Sequence, residues 1–163
     1  SRSATGWNVR TARVTKPLKG HFEKAKVAPQ KHLREFRLES HQDQSKFTVG
    51  QILTVGLFEP GEKVQVTGIT KGKGFQGGVK RWGYLGGPET HGSMFHRAPG
   101  SIGASSFPSR VFKGHHMPGR MGTDTASVKG LKIVKVLPEQ NLVLVKGAVP
   151  GPAGGLVTIS KRG

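Results

Sequence analysis

The sequence predicts a mainly β protein, a small β-barrel or sandwich interrupted by one long basic loop. Short runs rich in β-branched residues, and the turn residues that separate them, predict the strands. The third observation is charge: 26 Lys and Arg residues stand against 9 Asp and Glu, a formal net charge of +17 over 163 residues. This length suits one domain, residues 1–163.

Residues 1–43 form a basic part that is expected to be at most partly helical. The segment HFEKAKV, residues 21–27, predicts a short helix that ends by Pro29. The following HLREFRLE, residues 32–39, alternates apolar and charged side chains in the manner of a strand. One or two short helices are therefore expected beside the β structure.

Residues 44–69 carry the first strands of the predicted barrel. FTVGQILTVGLF, from Phe47, is rich in β-branched and aromatic residues, and the EPGE sequence at 59–62 supplies a Pro-Gly turn. The next run, KVQVTGI, places Val64 and Val66 on one face of a strand.

Residues 128–160 carry the remaining strands. A run from Leu131 to Val136 is followed by a PEQN turn at 138–141, a second run from Leu142, and a final LVTIS. Apolar residues fall on both faces of the first two runs, which indicates strands that are covered on both sides or closed into a barrel.

Between these parts lies the extension, residues 68–122, where glycine recurs every few positions and neither helical nor strand periodicity persists. Its only acidic residue is Glu89. A disordered basic segment is one interpretation, but such segments are poor in aromatic residues, and six aromatic side chains are interleaved here. A segment ordered by a polyanion explains both features, since cations meet phosphates and aromatic rings stack on bases or anchor the loop.

The charge makes nucleic acid the first expected partner. An anionic membrane is the second alternative, but it requires an amphipathic helix with a wide apolar face, and none is visible. The chain contains no Cys, which excludes disulfides and thiolate zinc sites, and no apolar run reaches the roughly 18 residues of a membrane span. The acid-free start, residues 1–21, also has the composition of an organelle transit peptide, although an exposed basic arm explains it more simply.

The extension contains GKGFQG, residues 72–77, which matches the spacing of a nucleotide-binding glycine loop. A dinucleotide site needs a helix that opens at the glycines and an acid about 20 residues further on, but glycines and a proline follow, and Arg97 stands where the acid is needed. No kinase motif and no G-x-x-x-x-G-K-[ST] sequence is present. The sequence therefore predicts no small-molecule substrate, no cofactor and no catalytic residue.

The predicted sites are RNA contacts. The histidines lack metal-ligand spacing, so we expect them to donate to phosphates or stack on bases, and no metal site is predicted. For Trp82, two roles stay open: an anchor where the loop leaves the barrel, or direct stacking on a base. The predicted RNA-binding residues are Lys71, Lys73, Lys80, Arg81, Trp82, His91, His96, Arg97, Arg110, Lys113, His115, His116 and Arg120.

Two long strings carry a family resemblance: VTGITKGKGFQGGVKRWGYLGGPETHGSMFHRAPGSIGASSFPSRVFKGHHMPGRMG at 66–122, and LKIVKVLPEQNLVLVKGAVPGPAGGLV at 131–157. Together with KPLKGHF and HLREF they resemble the bacterial-type third protein of the large ribosomal subunit, the universal L-three family, over about residues 14–160. The resemblance implies a translation-factor-like β-barrel and an extension that threads into large-subunit ribosomal RNA toward the peptidyl transferase centre. It also implies that the chain binds this RNA early in assembly of the subunit and has neighbouring large-subunit proteins as partners. The ribosome would be cytoplasmic or organellar, and the chain itself would have no catalytic activity.

By the same resemblance, the tip of the extension is Ser101, Ile102, Gly103 and Ala104. Many bacterial relatives have a Gln that can be methylated at the position of Ala104, so this modification is not expected here. The family normally opens with a stretch resembling MKGILGTKIGMTQIF, whereas this chain begins with SRSATGWN. We expect either that the stretch lies outside this sequence or that this member has diverged there.

Overall fold

The computed structural model describes residues 14–36 and 47–161. Antiparallel strands make up most of the regular secondary structure of these residues, and two short helices accompany them, so the predicted mainly β class is confirmed. The helices are α1 (Lys16–Lys24) and α2 (Gly78–Trp82). The strands are β1 (Lys63–Ile69), β2 (Gly74–Gln76), β3 (Gly119–Met121), β4 (Thr125–Leu137), β5 (Leu142–Lys146) and β6 (Val157–Lys161).

Four of the strands form one sheet in the order β5-β4-β1-β6. The central strand β1 pairs antiparallel with β4 on one side and with β6 on the other. The register between β1 and β4 shifts between Val64 and Val66, opposite a segment of β4 that contains Gly130 at φ +74°. Glycine adopts this left-handed conformation without a Cβ clash, which is typical of a β-bulge.

The core of the sheet consists of alternate residues of β1 and β4. Val64 and Val66 are each 1% exposed, and Leu131 and Ile133 face the same interior. The Pro-Gly turn before β1 is confirmed, and the amide of Gly61 donates to the carbonyl of Ile133 (2.7 Å). By contrast, Val134 is 56% exposed, so β4 has one buried face and one open face in the described part of the chain. Closure into a barrel stays a prediction.

Helix α1 begins five residues before the predicted helix and ends at Lys24 rather than at 27. Pro17 lies in its first turn, where the missing amide hydrogen costs no intrahelical bond, and Phe22 is its buried residue. The strand-like pattern predicted for 32–39 is wrong as far as residue 36, because residues 32–36 form no strand; 37–39 lie outside the described residues.

The strand expected from Phe47 is also wrong in its described part. Residues 47–58 contain a turn and a single 3₁₀ turn, Val55–Leu57, and no ladder partner. Val49 and Ile52 are 85% and 86% exposed, so their β propensity is not supported by burial. Residues 44–46 lie outside the described part. The PEQN turn is confirmed as a 3₁₀ turn, Pro138–Gln140, closed by Asn141 in the left-handed conformation.

The chain divides into two compact units, residues 1–59 with 135–144 and residues 60–134 with 145–163. The first contains α1 and the tip of the β4–β5 hairpin. The second contains the core strands and the whole extension. The single-domain assignment stays a prediction. No helix of the described residues is long and apolar enough to span a membrane.

Candidate nucleic-acid interface

The extension leaves the sheet as two paired limbs. Beyond β1 and β4, the strands β2 and β3 form a two-stranded antiparallel ribbon in which Phe75 lies opposite Arg120. The amide of Lys73 donates to the carbonyl of Met121 (2.9 Å), which extends the pairing toward the sheet. We call the paired region, residues 70–84 and 116–124, the stem.

A reciprocal pair of hydrogen bonds closes the stem where it meets the sheet. The amide of Thr70 donates to the carbonyl of Asp124 (2.9 Å), and the amide of Thr123 donates to the carbonyl of Thr70 (3.2 Å). The Thr70 hydroxyl also donates to the carbonyl of Asp124 and accepts a hydrogen bond from the Asp124 amide (both 3.1 Å). Gly122, at φ +77°, lies where any Cβ would collide with the Lys71 carbonyl, so the limbs approach here at glycine distance.

The glycines of GKGFQG belong to the ribbon and to the start of α2. Gly74 begins β2, Gly77 is the N-cap residue of α2, and the helix ends after five residues at Gly83, which is left-handed at φ +75°. The sequence predicts no helix at these glycines, and α2 shows that this prediction is wrong. The helix is nevertheless too short to provide the long helical dipole of a dinucleotide site.

Three side chains of the outgoing limb donate to carbonyls of the returning limb. The Arg81 guanidinium (Nη1, 2.7 Å) and the Trp82 indole (Nε1, 2.9 Å) both donate to the carbonyl of Met117. The hydroxyl of Tyr84 donates to the carbonyl of His116 (2.6 Å). All three bonds join residues 32 to 36 positions apart, so they fix the two limbs to each other.

An aromatic stack reinforces these bonds. The indole of Trp82 and the imidazole of His116 are parallel, with centroids 3.8 Å apart and an interplanar angle of 1°. The guanidinium carbon of Arg81 lies 4.9 Å from the Trp82 ring centroid, within cation–π range. Of the two roles left open for Trp82, the geometry favours the anchor, because its ring and its N–H are both engaged within the stem.

A loop of the extension beyond the stem is held by backbone contacts. The amide of Gly87 donates to the carbonyl of His96 (2.8 Å), and the imidazole of His96 lies 3.0 Å (Nδ1) from the carbonyl of Pro88. His91 lies in the turn between them, left-handed at φ +58°. His96 therefore has a structural contact in addition to the RNA contact predicted for it.

The tip residues form a small turn. The hydroxyl of Ser101 donates to the carbonyl of Gly103 (3.0 Å) and accepts from the Gly103 amide (3.4 Å). Ile102 is 43% exposed and Ala104 is exposed. An added Cβ on Gly103 would meet only the Arg110 carbonyl, at 3.8 Å, an ordinary contact distance.

The predicted cations differ in how far they are engaged. Arg81 is half-buried and hydrogen-bonded within the stem, so its role there is internal. The guanidinium of Arg110 lies over the ring of Phe112, 5.1 Å from the centroid, and is otherwise exposed. The exposed predicted cations are Lys71, Lys73, Lys80, Arg97, Arg110, Lys113 and Arg120.

The four histidines of the extension do not converge. His115 is exposed and its amide donates to the carbonyl of Phe112 (3.3 Å), whereas His116 is stacked on Trp82. Within residues 14–36 and 47–161, no three His, Asp or Glu side chains lie close enough together to hold a metal ion.

Sequence reasoning missed Tyr84 and the Thr70–Asp124 closure. Tyr84 is the only tyrosine of the chain and lies two residues after Trp82, which was a signal that it shares the anchoring role. The closure had no signal, because the bonds of Thr70 are mostly to the backbone and any sequence provides a backbone partner.

Two comparisons with known proteins indicate one family. The family model described as ribosomal protein L3 matches residues 37–141. The large ribosomal subunit protein uL3 of Pseudothermotoga lettingae is 50% identical over 147 residues, which cover 90% of this chain and 70% of that relative. The chain therefore belongs to the ribosomal protein L3 family, whose members are structural components of the ribosome and not enzymes.

Proposed function

We propose that this chain, a structural constituent of the large ribosomal subunit, binds large-subunit ribosomal RNA through its extension and supports early assembly of the subunit. The ribosome of bacteria lies in the cytoplasm, and this is where the chain acts. Its sheet docks on the RNA surface, and its extension reaches inward, with the tip directed toward the peptidyl transferase centre.

The observation that carries the proposal is the charge of the extension. Seven exposed Lys and Arg side chains project from residues 68–122, against the single carboxylate of Glu89. Such a density of like charge repels itself until phosphates neutralise it. Phosphate contacts give affinity and position with little sequence readout, so specificity comes from the shape of the RNA and from stacking.

The paired stem supports the same proposal. Hydrogen bonds between the limbs, at Thr70 and at Met117, hold the base of the extension in one conformation. A preorganised base reduces the entropy that must be lost when RNA binds. The exposed cations of the stem itself, such as Lys80 and Arg120, can then meet phosphates at fixed spacing.

The proposal is tested by the salt dependence of RNA affinity. Lys73→Ala combined with Lys113→Ala removes one exposed cation from the outgoing half of the extension and one from the returning half. We expect the negative slope of log K against log salt to become less steep by about 1.4 to 1.8, since each lost phosphate contact contributes about 0.7 to 0.9. The probe is a transcript of the large-subunit ribosomal RNA, titrated with the full chain.

The matched control is Lys19→Ala with Lys24→Ala, which removes the same charge from α1, outside the extension. Lys19 is exposed and lies 3.7 Å from Glu23, a surface pair that contributes little stability. If the extension variant has the wild-type slope, or if the control lowers the slope equally, the phosphate role of the extension is wrong.

The tip is tested separately by Gly103→Leu. Because an added Cβ meets only one ordinary contact there, the substitution leaves the fold intact and changes what the tip presents to the RNA. We expect slower peptidyl transfer in reconstituted subunits at unchanged incorporation. Gly20→Leu is the control, since its Cβ would also enter open space but on α1, outside the extension. A loss of incorporation without a change in peptidyl transfer contradicts the tip assignment.

A further inference from the structure

The outward face of the β2–β3 ribbon carries an aromatic ring that is largely uncovered in the described part of the chain. Phe75 is 76% exposed although it lies in a strand. Its cross-strand partner is Arg120, which is also exposed. Directly opposed residues of an antiparallel pair lie on the same face, so ring and guanidinium share one surface.

The opposite face of the ribbon is occupied. Gln76 and Met121 are partly buried, and Gly119 lies against the guanidinium of Arg81. The ribbon therefore has an inner face fixed to α2 and an outer face that presents Phe75 and Arg120. Burial of Phe75 within the chain does not explain its position, and leaving such a ring in water carries a hydrophobic cost.

We propose that Phe75 and Arg120 form a stacking site for one unpaired nucleotide of RNA, with the ring against the base and the guanidinium at the adjoining phosphate. This inference rests on the proposed function and adds a ligand class and two named residues to it. It assigns base stacking to Phe75, whereas the stem uses the ring of Trp82 internally.

The charge around Phe75 indicates which class of molecule binds there. The surrounding stem contributes Lys71 and Lys73 as exposed cations, and Glu89 is the only carboxylate between residues 68 and 122. This surface suits a polyanion, whereas the centre of a protein–protein interface is depleted of charge. The base must be unpaired, because an A-form duplex keeps the faces of its bases inside the stack.

The test compares single-stranded with duplex RNA. The full chain is titrated with a 12-nucleotide mixed-sequence RNA that carries one 2-aminopurine, and with the same sequence as a duplex. Phe75→Leu keeps an apolar side chain but removes the π face. We expect single-strand affinity to fall by about 5- to 150-fold, the range of one stacking contact, and the fluorescence quenching of the 2-aminopurine to be lost. Duplex affinity should be unchanged, and Phe75→Trp should restore both readouts.

The matched control is Phe107→Leu, the same substitution at a ring that is 89% exposed elsewhere on the extension. For Arg120→Ala, we expect the negative slope of log K against log salt, measured with single-stranded RNA, to become less steep by about 0.7. Wild-type single-strand affinity for Phe75→Leu overturns the proposal, as does an equal loss on the duplex or with Phe107→Leu. Normal RNA binding combined with loss of a neighbouring ribosomal protein would assign the ring to a protein partner and overturn it too.

The two proposals fail in different ways. If the phosphate proposal is wrong, the variant that lacks Lys73 and Lys113 keeps the wild-type salt slope on any RNA. If the stacking proposal is wrong, Phe75→Leu keeps the wild-type preference for single-stranded RNA as well as the wild-type salt slope.

Discussion

The sequence leaves two roles open for Trp82, an anchor or a base-stacking ring, and the geometry favours the anchor. Next to a Lys-Arg pair in a basic loop, an indole is typical of a base-stacking site. In the structure its N–H donates to the Met117 carbonyl and its ring stacks on His116. No sequence pattern reveals this, because one partner is a backbone carbonyl and the other lies 34 residues further along the chain.

Trp82→Phe tests the anchor. The substitution keeps a ring beside His116 and removes the donor, while Arg81 continues to donate to the same carbonyl. We expect the free energy of opening the stem to fall by about 0.5–1.5 kcal/mol, the net contribution of one hydrogen bond. Hydrogen exchange of the Lys73 and Thr123 amides, which bond across the limbs, measures it.

Tyr84→Phe removes a second cross-limb donor and should act in the same direction. Phe107→Leu, at an exposed ring, should leave exchange of the stem amides unchanged. Unaltered protection of the Lys73 and Thr123 amides in both Trp82→Phe and Tyr84→Phe would show that these side chains do not hold the stem.

At the scale of elements, the sequence predicts those strands whose apolar residues find a common interior. β1, β4, β5 and β6 overlap the predicted runs, although β4 begins at Thr125, before the predicted run. They overlap because Val64, Val66 and Ile133 alternate with exposed or half-buried residues on a shared sheet. The segment from Phe47 has the same composition without a ladder partner, and composition alone does not supply one.

The stem marks the other limit of sequence-based prediction. Its strands β2 and β3 have three residues each, which is too short for periodicity to be recognised. The exposed cations and the tip could be proposed from composition and resemblance. The pairing that positions them depends on hydrogen bonds between backbone groups of Thr70, Thr123 and Asp124. Backbone groups are the same in almost every residue type, so these bonds leave no pattern in the sequence.

The alternation in β4 yields a stability prediction. Ile133 is fully buried, whereas the next residue, Val134, is 56% exposed on the other face. We expect Ile133→Val to lower the free energy of unfolding by about 0.5–1.5 kcal/mol, because it removes one methylene from a packed interior. Val134→Ala should change it by less than about 0.5 kcal/mol. Thermal unfolding followed by circular dichroism measures both, and equal effects would contradict the assignment of the two faces.

At the scale of the whole molecule, the chain combines a small sheet core with an extension that hides little of its own surface. Leu85 and Met94 are almost completely exposed, and the formal net charge is +17. A protein that acted alone would gain little from this arrangement, since exposed apolar side chains and unbalanced charge both favour association. The proposed RNA contacts would meet both demands at once, because phosphates would neutralise the cations and bases would pack against the apolar groups.

Whether the chain stays on large subunits at high salt distinguishes an extension that is enclosed by RNA from a free-standing RNA chaperone. Such a chaperone would have a similar charge but would bind only at the surface of the RNA. At about 1 M salt the screening length is about 3 Å, so attraction between surface charges is largely lost. A chain whose paired limbs are enclosed by RNA should still sediment with large subunits under these conditions. A photo-crosslinker placed at Leu85 or Met94 should label ribosomal RNA in the washed subunits, while the same group at Leu18 on α1, 44% exposed, should label less. Release of the chain at this salt, or labelling from Leu18 alone, would contradict an extension that threads into RNA and would favour the chaperone.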